Sequence, residues 1–347
     1  IPEAEQGLNV ARMAVLLAGL PNSIGGVTVN RFCASGLTAL AMAADRIRVG
    51  ESDAIIAAGT ESMSMVPMMG NRPSINIRAF ESDENVGIAY GMGLTAEKVA
   101  QQWKVDRDAQ DAFALESHRR AIAAQDAGEF ADEIAPIDVV EKFPDLDAGR
   151  IDVRSRRVEL DEGPRRDTTP EALAKLRPAF AAPRSPQGKA TGMGSVTAGN
   201  SSQTSDGAGA LLVVSEKILR QFDLTPLARF VSFAVRGVPP EIMGIGPKEA
   251  IPAALRSAGL NLADIGWIEL NEAFAAQSLA VMRDLDMNPD VVNPMGGAIA
   301  LGHPLGATGA IRASTVVHAL RRRQLRYGMV TMCVGTGMGA AGIIERV

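Results

Sequence analysis

The chain has 347 residues and carries 35 Lys and Arg against 40 Asp and Glu, a net charge of −5 that argues against a nucleic-acid or anionic-membrane surface. Hydrophobic residues make 46% and charged residues 22%, the balance of a folded protein of about two domains, which excludes disorder, collagen and coiled coil. Two cysteines cannot staple a secreted scaffold, and three histidines leave little for a metal site.

In chain order, a helix is expected from Leu8 to Leu20, stopped by Pro21. The β-branched run Gly26 to Asn30 reads as a strand and leads into Arg31-Phe32-Cys33-Ala34-Ser35-Gly36. Leu37, Leu40, Ala44 and Ile47 then recur at helical spacing, and residues 53–59 read as a buried strand. Strand, turn, helix, strand is a βαβ unit, which points to a parallel or mixed sheet covered by helices.

The middle of the chain is different. Residues 63–69 are Met-rich, 106–128 read as an amphipathic helix, and 131–162 are acidic. Residues 163–189 carry six basic against two acidic side chains, which fits either a solvated face or a phosphate-binding surface. After it the early pattern returns: Val291-Val292-Asn293, glycine-rich turns, a helix over 307–323 and a strand over 328–333. The chain is thus a two-copy pseudo-repeat, not a solenoid. The charge-free stretch from Tyr327 to Ile344 is about as long as a bilayer span, but its five glycines make it strand, tight turn, strand.

Four segments carry side chains suited to chemistry. Cys33 falls where a strand gives way to a helix, and backbone N–H groups with the helix dipole there favour a thiolate; a buried cysteine acting as small apolar filler fits the same position. Cys333 opens Cys-Val-Gly-Thr-Gly-Met-Gly, whose glycines let N–H groups converge on a phosphate or a developing oxyanion. This run is not a dinucleotide fingerprint, because its order differs and the chain ends before the expected acid. His303 stands between Gly302 and Pro304 in a glycine-rich loop, held by backbone and not by a helical face, which favours a functional imidazole. Asn271 and Glu272 end an apolar strand, where they cap the next helix or hold a water beside an oxyanion. His118 and His318 fall in helices and read as surface or packing residues. Two thiols, one imidazole and paired N–H donors suit covalent thioester chemistry.

Longer motifs join these segments. They are VNRFCASGLTAL at 29–40, AGTESMSMVP at 58–67, YGMGLTAEKVA at 90–100, LAKLRPAF at 173–180 and VTAGNSSQTSDGAGA at 196–210. MGIGPKEAIPAAL at 243–255, NEAFAAQ at 271–277, NPMGGAIALGHPLGATGAI at 293–311 and CVGTGMGAAGII at 333–344 follow. With these motifs, in this order and over essentially the whole chain, the sequence resembles the thiolases, and most closely the degradative 3-ketoacyl-CoA thiolases (acetyl-CoA acyltransferases).

The resemblance implies a layered αβαβα fold of two pseudo-repeated halves. Residues 1–215 would form the N-terminal half, with a loop domain inserted at about 65–190, and 216–347 the C-terminal half; the family's first strand and helix have no counterpart before Ile1. It implies that Cys33 is the acylated nucleophile, that His303 activates it and that Cys333 is the second acid/base. One oxyanion hole would use His303 and a water held by Asn271, the other the N–H groups of Cys33 and Gly335. Arg165 would reach a phosphate of CoA, Ser202 and Phe274 would line the pantetheine, and Met92 the acyl pocket.

Coenzyme A would be a substrate, with no tightly bound cofactor and no metal. The expected reaction is thiolysis of a 3-ketoacyl-CoA to acetyl-CoA and a shortened acyl-CoA, as in fatty-acid β-oxidation. The alternatives are an acetoacetyl-CoA thiolase working in condensation and a non-catalytic thiolase-like CoA or lipid binding protein. A ketoacyl synthase would carry two histidines where this chain has one and a second cysteine. Gly91 stands where the biosynthetic branch carries His beside the Met, which implies a wider acyl pocket, and residues 181–194 form an insertion near the CoA site. A homodimer or homotetramer, a hydratase/dehydrogenase partner subunit in some relatives, and a cytoplasmic location complete the expectations.

Overall fold

The computed structural model describes residue 1, residues 5–180 and residues 194–347. Two sheets organise them. In the first half, α1 (Val10–Leu17) and α2 (Ser35–Arg48) precede β1 (Ala54–Ser62), which pairs antiparallel with β4 (Asp206–Val214) from Ala54↔Val214 to Ser62↔Asp206. Between them come α3 (Met92–Gln102), α4 (Arg107–Asp126), the antiparallel hairpin of β2 (Ile137–Asp145) and β3 (Arg150–Val158), and α5 (Pro170–Ala174). In the second half, α6 (Glu216–Phe222), β5 (Ala228–Gly237), α7 (Gly246–Ala258), β6 (Ile265–Leu270), α8 (Ala275–Asp284), α9 (Ala298–Leu301), α10 (Leu305–Arg322), β7 (Tyr327–Val334) and β8 (Met338–Arg346) follow. Here the strand order is β5-β8-β7-β6, with β6 parallel to β7 and β8 antiparallel to both β7 and β5.

The same unit occurs twice. In each half a helix leads into a strand (α2 into β1, α10 into β7), and that strand pairs antiparallel with a later one. The helices α2 and α10 pack on each other and on strands of both sheets, while α7 covers the far side of the second sheet. Glycine sets the crossing of α2 and α10: a Cβ at Gly36 would stand 2.6 Å from the Ala310 backbone nitrogen, and one at Gly309 would stand 2.2 Å from that of Leu37. Around the crossing Leu37, Val316, Leu320, Val330 and Met332 are fully buried in one core. Each such side chain contributes about 1.5–3 kcal/mol on leaving water. A second core joins Ile251, Ala250 and Ala254 of α7 to Met329, Ala341 and Ile343.

Several expectations from the sequence hold. The helix over 106–128 is α4, with the Asp106 carboxylate accepting the Ala109 N–H at 2.8 Å. The stretch from Tyr327 is β7, a turn and β8. Among the described residues no helix is long and apolar enough to cross a membrane.

Three expectations are corrected. Gly26 to Asn30 is not a strand: it runs extended along α1, where Asn9 Nδ2 donates to the Gly26 carbonyl at 2.8 Å and the Ala11 N–H to Thr28 Oγ1 at 3.3 Å, and no ladder forms. Val291 to Asn293 makes only an isolated bridge, Ile268↔Val292. Residues 53–59 are not uniformly buried, because only one face of β1 meets the central helices; Ile56 and its partner Leu212 are exposed on the other. Of the 181–194 insertion, residues 181–193 lie outside the described residues.

Candidate active site

Cys33 sits in a sharp elbow before α2. Phe32 has φ +45, a left-handed conformation that strains a bulky residue. Side chains replace the missing ladder there. Asn30 Oδ1 accepts the Phe32 N–H at 2.9 Å, and Ser35 Oγ accepts from the Arg31 N–H at 2.9 Å while donating to the Phe32 carbonyl at 2.7 Å. The elbow leaves Cys33 half-buried, with its own N–H and that of Gly335 turned toward its sulfur.

Gly335 belongs to the turn between β7 and β8. Thr336 has φ +67, and at Gly337 (φ +92) a Cβ would lie 2.3 Å from the Val238 carbonyl oxygen, so this turn needs glycine. Cys333, fully buried near the end of β7, lies close enough to Cys33 for that thiol to add to its cost of ionisation. The expectation of a resting thiolate at Cys33 is corrected: burial pushes this thiol up to about 12 and outweighs the two N–H groups, with the Glu61 carboxylate adding to the rise.

His303 is reached through Gly302, at φ +91 after α9, and its own N–H donates to Ser205 Oγ at 3.2 Å. The ring is buried between two partners, with Nδ1 2.7 Å from Thr308 Oγ1 and Nε2 3.2 Å from Asn271 Nδ2. Burial, with the Arg312 guanidinium behind it, holds His303 down to about 3. At neutral pH it is an uncharged imidazole able to accept a proton. With the Asn271 amide nitrogen turned toward the ring, the lone pair lies on Nε2 and Nδ1–H donates to Thr308. The buried Asn271 Oδ1 has no hydrogen-bond partner among the described residues.

Asn271 is fixed by its own backbone, and Asn293 holds the residues on either side of it. Its N–H donates to the Thr331 carbonyl at 2.9 Å. Asn293, at φ +45, uses its side-chain amide as a strand would: Oδ1 accepts the Leu270 N–H at 2.9 Å and Nδ2 donates to the Leu270 carbonyl at 2.8 Å. The same Nδ2 donates to Glu272 Oε1 at 2.8 Å. The buried Glu272 carboxylate also accepts from Ser117 Oγ of α4 at 2.6 Å and from the Ile299 N–H at 3.2 Å. Glu272 therefore joins the loop that carries His303 to α4, and caps no helix of its own.

The remaining expected residues divide. Met92 and Phe274 pack in one apolar cluster with Cys333, Met243, Ala96 and Phe180. The Ser202 N–H donates to the Ala273 carbonyl at 3.0 Å, which holds that segment beside Phe274. Arg165 stands on an exposed stretch after β3, and its backbone N–H donates to Nδ1 of His118 at 3.1 Å. His118 is buried by this contact, a packing residue as expected. The motifs left Thr308, Gln277 and Asn293 without roles. Thr308 stands one helical turn inside α10, facing back toward His303, and that spacing was the available signal.

Residues 1–217 match the family model described as "Thiolase, N-terminal domain", and residues 224–346 match "Thiolase, C-terminal domain". The chain belongs to the thiolase family. It is 49% identical over 345 residues to the 3-ketoacyl-CoA thiolase of Bacillus subtilis (strain 168), covering 99% of this chain and 85% of that one. It is 46% identical to the peroxisomal 3-ketoacyl-CoA thiolase A of Rattus norvegicus, across 99% of this chain and 76% of the relative. The crystal structure of human mitochondrial 3-ketoacyl-CoA thiolase superposes with a TM-score of 0.85 at 38% identity, covering 100% of this chain and 85% of that one. The layered thiolase fold expected from the sequence is thus present, and the chain is a member of an acyltransferase family.

Proposed function

We propose that the chain cleaves 3-ketoacyl-CoA with CoA, giving acetyl-CoA and a shortened acyl-CoA, through an acyl-enzyme on Cys33. What supports this reading is a pair of geometries: the N–H groups of Cys33 and Gly335 turned to the Cys33 sulfur, and Asn271 Nδ2 3.2 Å from His303 Nε2, with burial keeping the thiols and the imidazole neutral. A neutral thiol beside a neutral imidazole stays protonated until a substrate carbonyl supplies an oxyanion to be stabilised, so charge develops only in the transition state.

The steps balance on these groups alone. His303 Nε2 takes the Cys33 proton as Sγ bonds to the 3-keto carbon. The resulting oxyanion would lie against the N–H groups of Cys33 and Gly335, and the thioester oxygen of the departing enolate against His303 and a water on Asn271. As the oxyanion collapses, the C2–C3 bond breaks and its electron pair becomes the enolate of acetyl-CoA. Cys333 gives that enolate its proton. The Cys333 thiolate then takes the proton of an incoming CoA thiol, whose sulfur attacks the Cys33 thioester. Cys33 leaves and recovers its proton from His303. No metal or redox group enters the sequence.

Met92 and Phe274, clustered beside Cys333, form the wall against which the acyl and pantetheine chains would lie. A Cβ at Gly91 would meet nothing within 4 Å, which supports the wider pocket and longer chains. Arg165 on its exposed stretch suits a CoA phosphate. Residues 1–215, with a loop domain inserted at about 65–190, and 216–347 would be the two halves. A dimer is the natural assembly, since the Saccharomyces cerevisiae relative (42% identical, TM-score 0.82) is titled a dimeric peroxisomal thiolase. Two free thiols suit a reducing compartment such as the cytoplasm.

The test is CoA-dependent thiolysis of 3-ketoacyl-CoAs from C4 to C16, with 3-oxoadipyl-CoA included because an Escherichia coli relative, 45% identical, is named for it. Activity rising beyond C4 is expected. Activity confined to acetoacetyl-CoA would overturn the degradative reading.

A further inference from the structure

The two thiols have opposite surroundings. The Cys33 sulfur is faced by two N–H groups, which stabilise negative charge. The Cys333 sulfur is faced by an acceptor: its Sγ–H donates to Gln277 Oε1 at 3.6 Å. Gln277 lies in the first turn of α8 and is completely buried. A leucine or methionine would fill such a slot without the cost of burying a primary amide.

The amide is held in place. Nε2 donates to Ser278 Oγ at 3.0 Å, and that hydroxyl donates to the Phe274 carbonyl at 3.2 Å. The side chain is pressed against Gly244, where a Cβ would come within 2.7 Å of Gln277 Cβ. One end of the amide is thereby anchored, and its oxygen is turned to the thiol.

We propose that Gln277 is a positioning residue for Cys333, holding the proton on that sulfur, and the sulfur in place, until the departing enolate draws the proton away. The inference rests on the acid/base role of Cys333 given above. An amide oxygen can accept only from the thiol; against a thiolate its lone pairs are repulsive, so the contact favours the protonated form. This makes Cys333 an acid in waiting instead of a second nucleophile. In the transfer the Cys333 S–H bond breaks, its pair stays on sulfur, and the enolate pair forms the new C–H bond at C2. Gln277 thus separates two cysteines that would otherwise compete for the same carbonyl.

Deuterium wash-in at the methyl group of acetyl-CoA in D2O, catalysed by the acetylated full chain, reads the Cys333 step. Iodoacetamide alkylation reads Cys33. Gln277→Leu is expected to slow wash-in and kcat at least tenfold, with KM for both substrates and the Cys33 alkylation rate within twofold. Gln277→Glu, which keeps an acceptor oxygen, should recover most of the loss. Gln277→Met takes the place of the leucine variant if that chain does not fold. Wash-in at the wild-type rate in Gln277→Leu, equal losses in the leucine and glutamate variants, or a parallel fall in Cys33 alkylation would each overturn the proposal. Cys333→Ala separates the two readings. If it exchanges deuterium at the wild-type rate, the acid/base role of Cys333 fails; if it does not exchange while Gln277→Leu does, only the role of Gln277 fails.

Discussion

Thr308 Oγ1 lies 2.7 Å from His303 Nδ1, and this hydroxyl is able to accept the Nδ1 proton. With the Asn271 amide nitrogen facing Nε2, the Nδ1 proton goes to Thr308 and the lone pair lies on Nε2, where a thiol proton would take the place of the Asn271 N–H. Thr308 is fully buried in the first turn of α10, so valine fits its space without its oxygen. Thr308→Val is expected to lower kcat roughly tenfold, equivalent to about 1.4 kcal/mol, with Thr308→Ser restoring most of it. Steady-state thiolysis checks this, and an unchanged kcat in the valine variant would remove the role.

Cys33 should carry the acyl group alone. Intact-mass spectrometry after mixing with substrate is expected to show a covalent adduct in the wild type and none in Cys33→Ala. Cys333→Ala should still acylate but turn over at least a hundredfold more slowly, within the range general acid–base catalysis supplies. Because burial pushes the Cys33 thiol up to about 12, its alkylation in the free enzyme should keep rising through pH 9 with no plateau.

Two buried groups give stability opposite slopes with pH. His303 is held down to about 3 against an ordinary 6.5, so between those values the unfolded chain binds a proton that the native site refuses, and stability falls as pH drops through this window. Glu133 is pushed up to about 8 from 4.5 by burial and then by Glu269, against the pull of Arg322 and Arg312. Here the native state binds the extra proton, so stability is lost as pH rises from 4.5 through 8. Glu133→Gln should therefore melt several degrees above the wild type at pH 8.5 and within one or two degrees of it at pH 5, by calorimetry. The same gap at both pH values would contradict this account.

Gly309→Ala should be costly for packing and for catalysis together. Its Cβ would stand 2.2 Å from the Leu37 nitrogen, forcing α10 away from α2. Overpacking of this kind costs about 1–3 kcal/mol. Since α2 begins beside Cys33 and α10 beside His303, kcat should fall along with the melting temperature. Lower stability with full kcat would show that the crossing does not set the catalytic distance.

The elements that carry their own periodicity were legible in the sequence. Residues 106–128 and 307–323 announced α4 and α10 through apolar spacing, and the glycines of 327–344 announced the turn between β7 and β8. Gly26 to Asn30 misled because β-branched composition specifies extended backbone but not a neighbour to pair with, and here α1 supplies the contacts. At the site, Cys33, His303, Cys333 and Asn271 stood out by residue type and by motif. Thr308, Gln277 and Asn293 did not, since a hydroxyl or amide acquires its role only from what the fold sets opposite it. The charge of the resting site was equally hidden: an N–H pair at Cys33 suggests a thiolate until the depth of burial is known.

The crossing of α2 and α10 also makes the reaction a property of two pieces of chain. Cys33 lies in the segment matched by the first thiolase domain, and Asn271, His303 and Cys333 lie in the segment matched by the second. The exposed stretch between Phe222 and Ala228 joins them. A chain severed there would hold its nucleophile on one fragment and its base on the other, so turnover would report reunion of the fragments, and the glycine contact between the helices would become a recognition code for complementation.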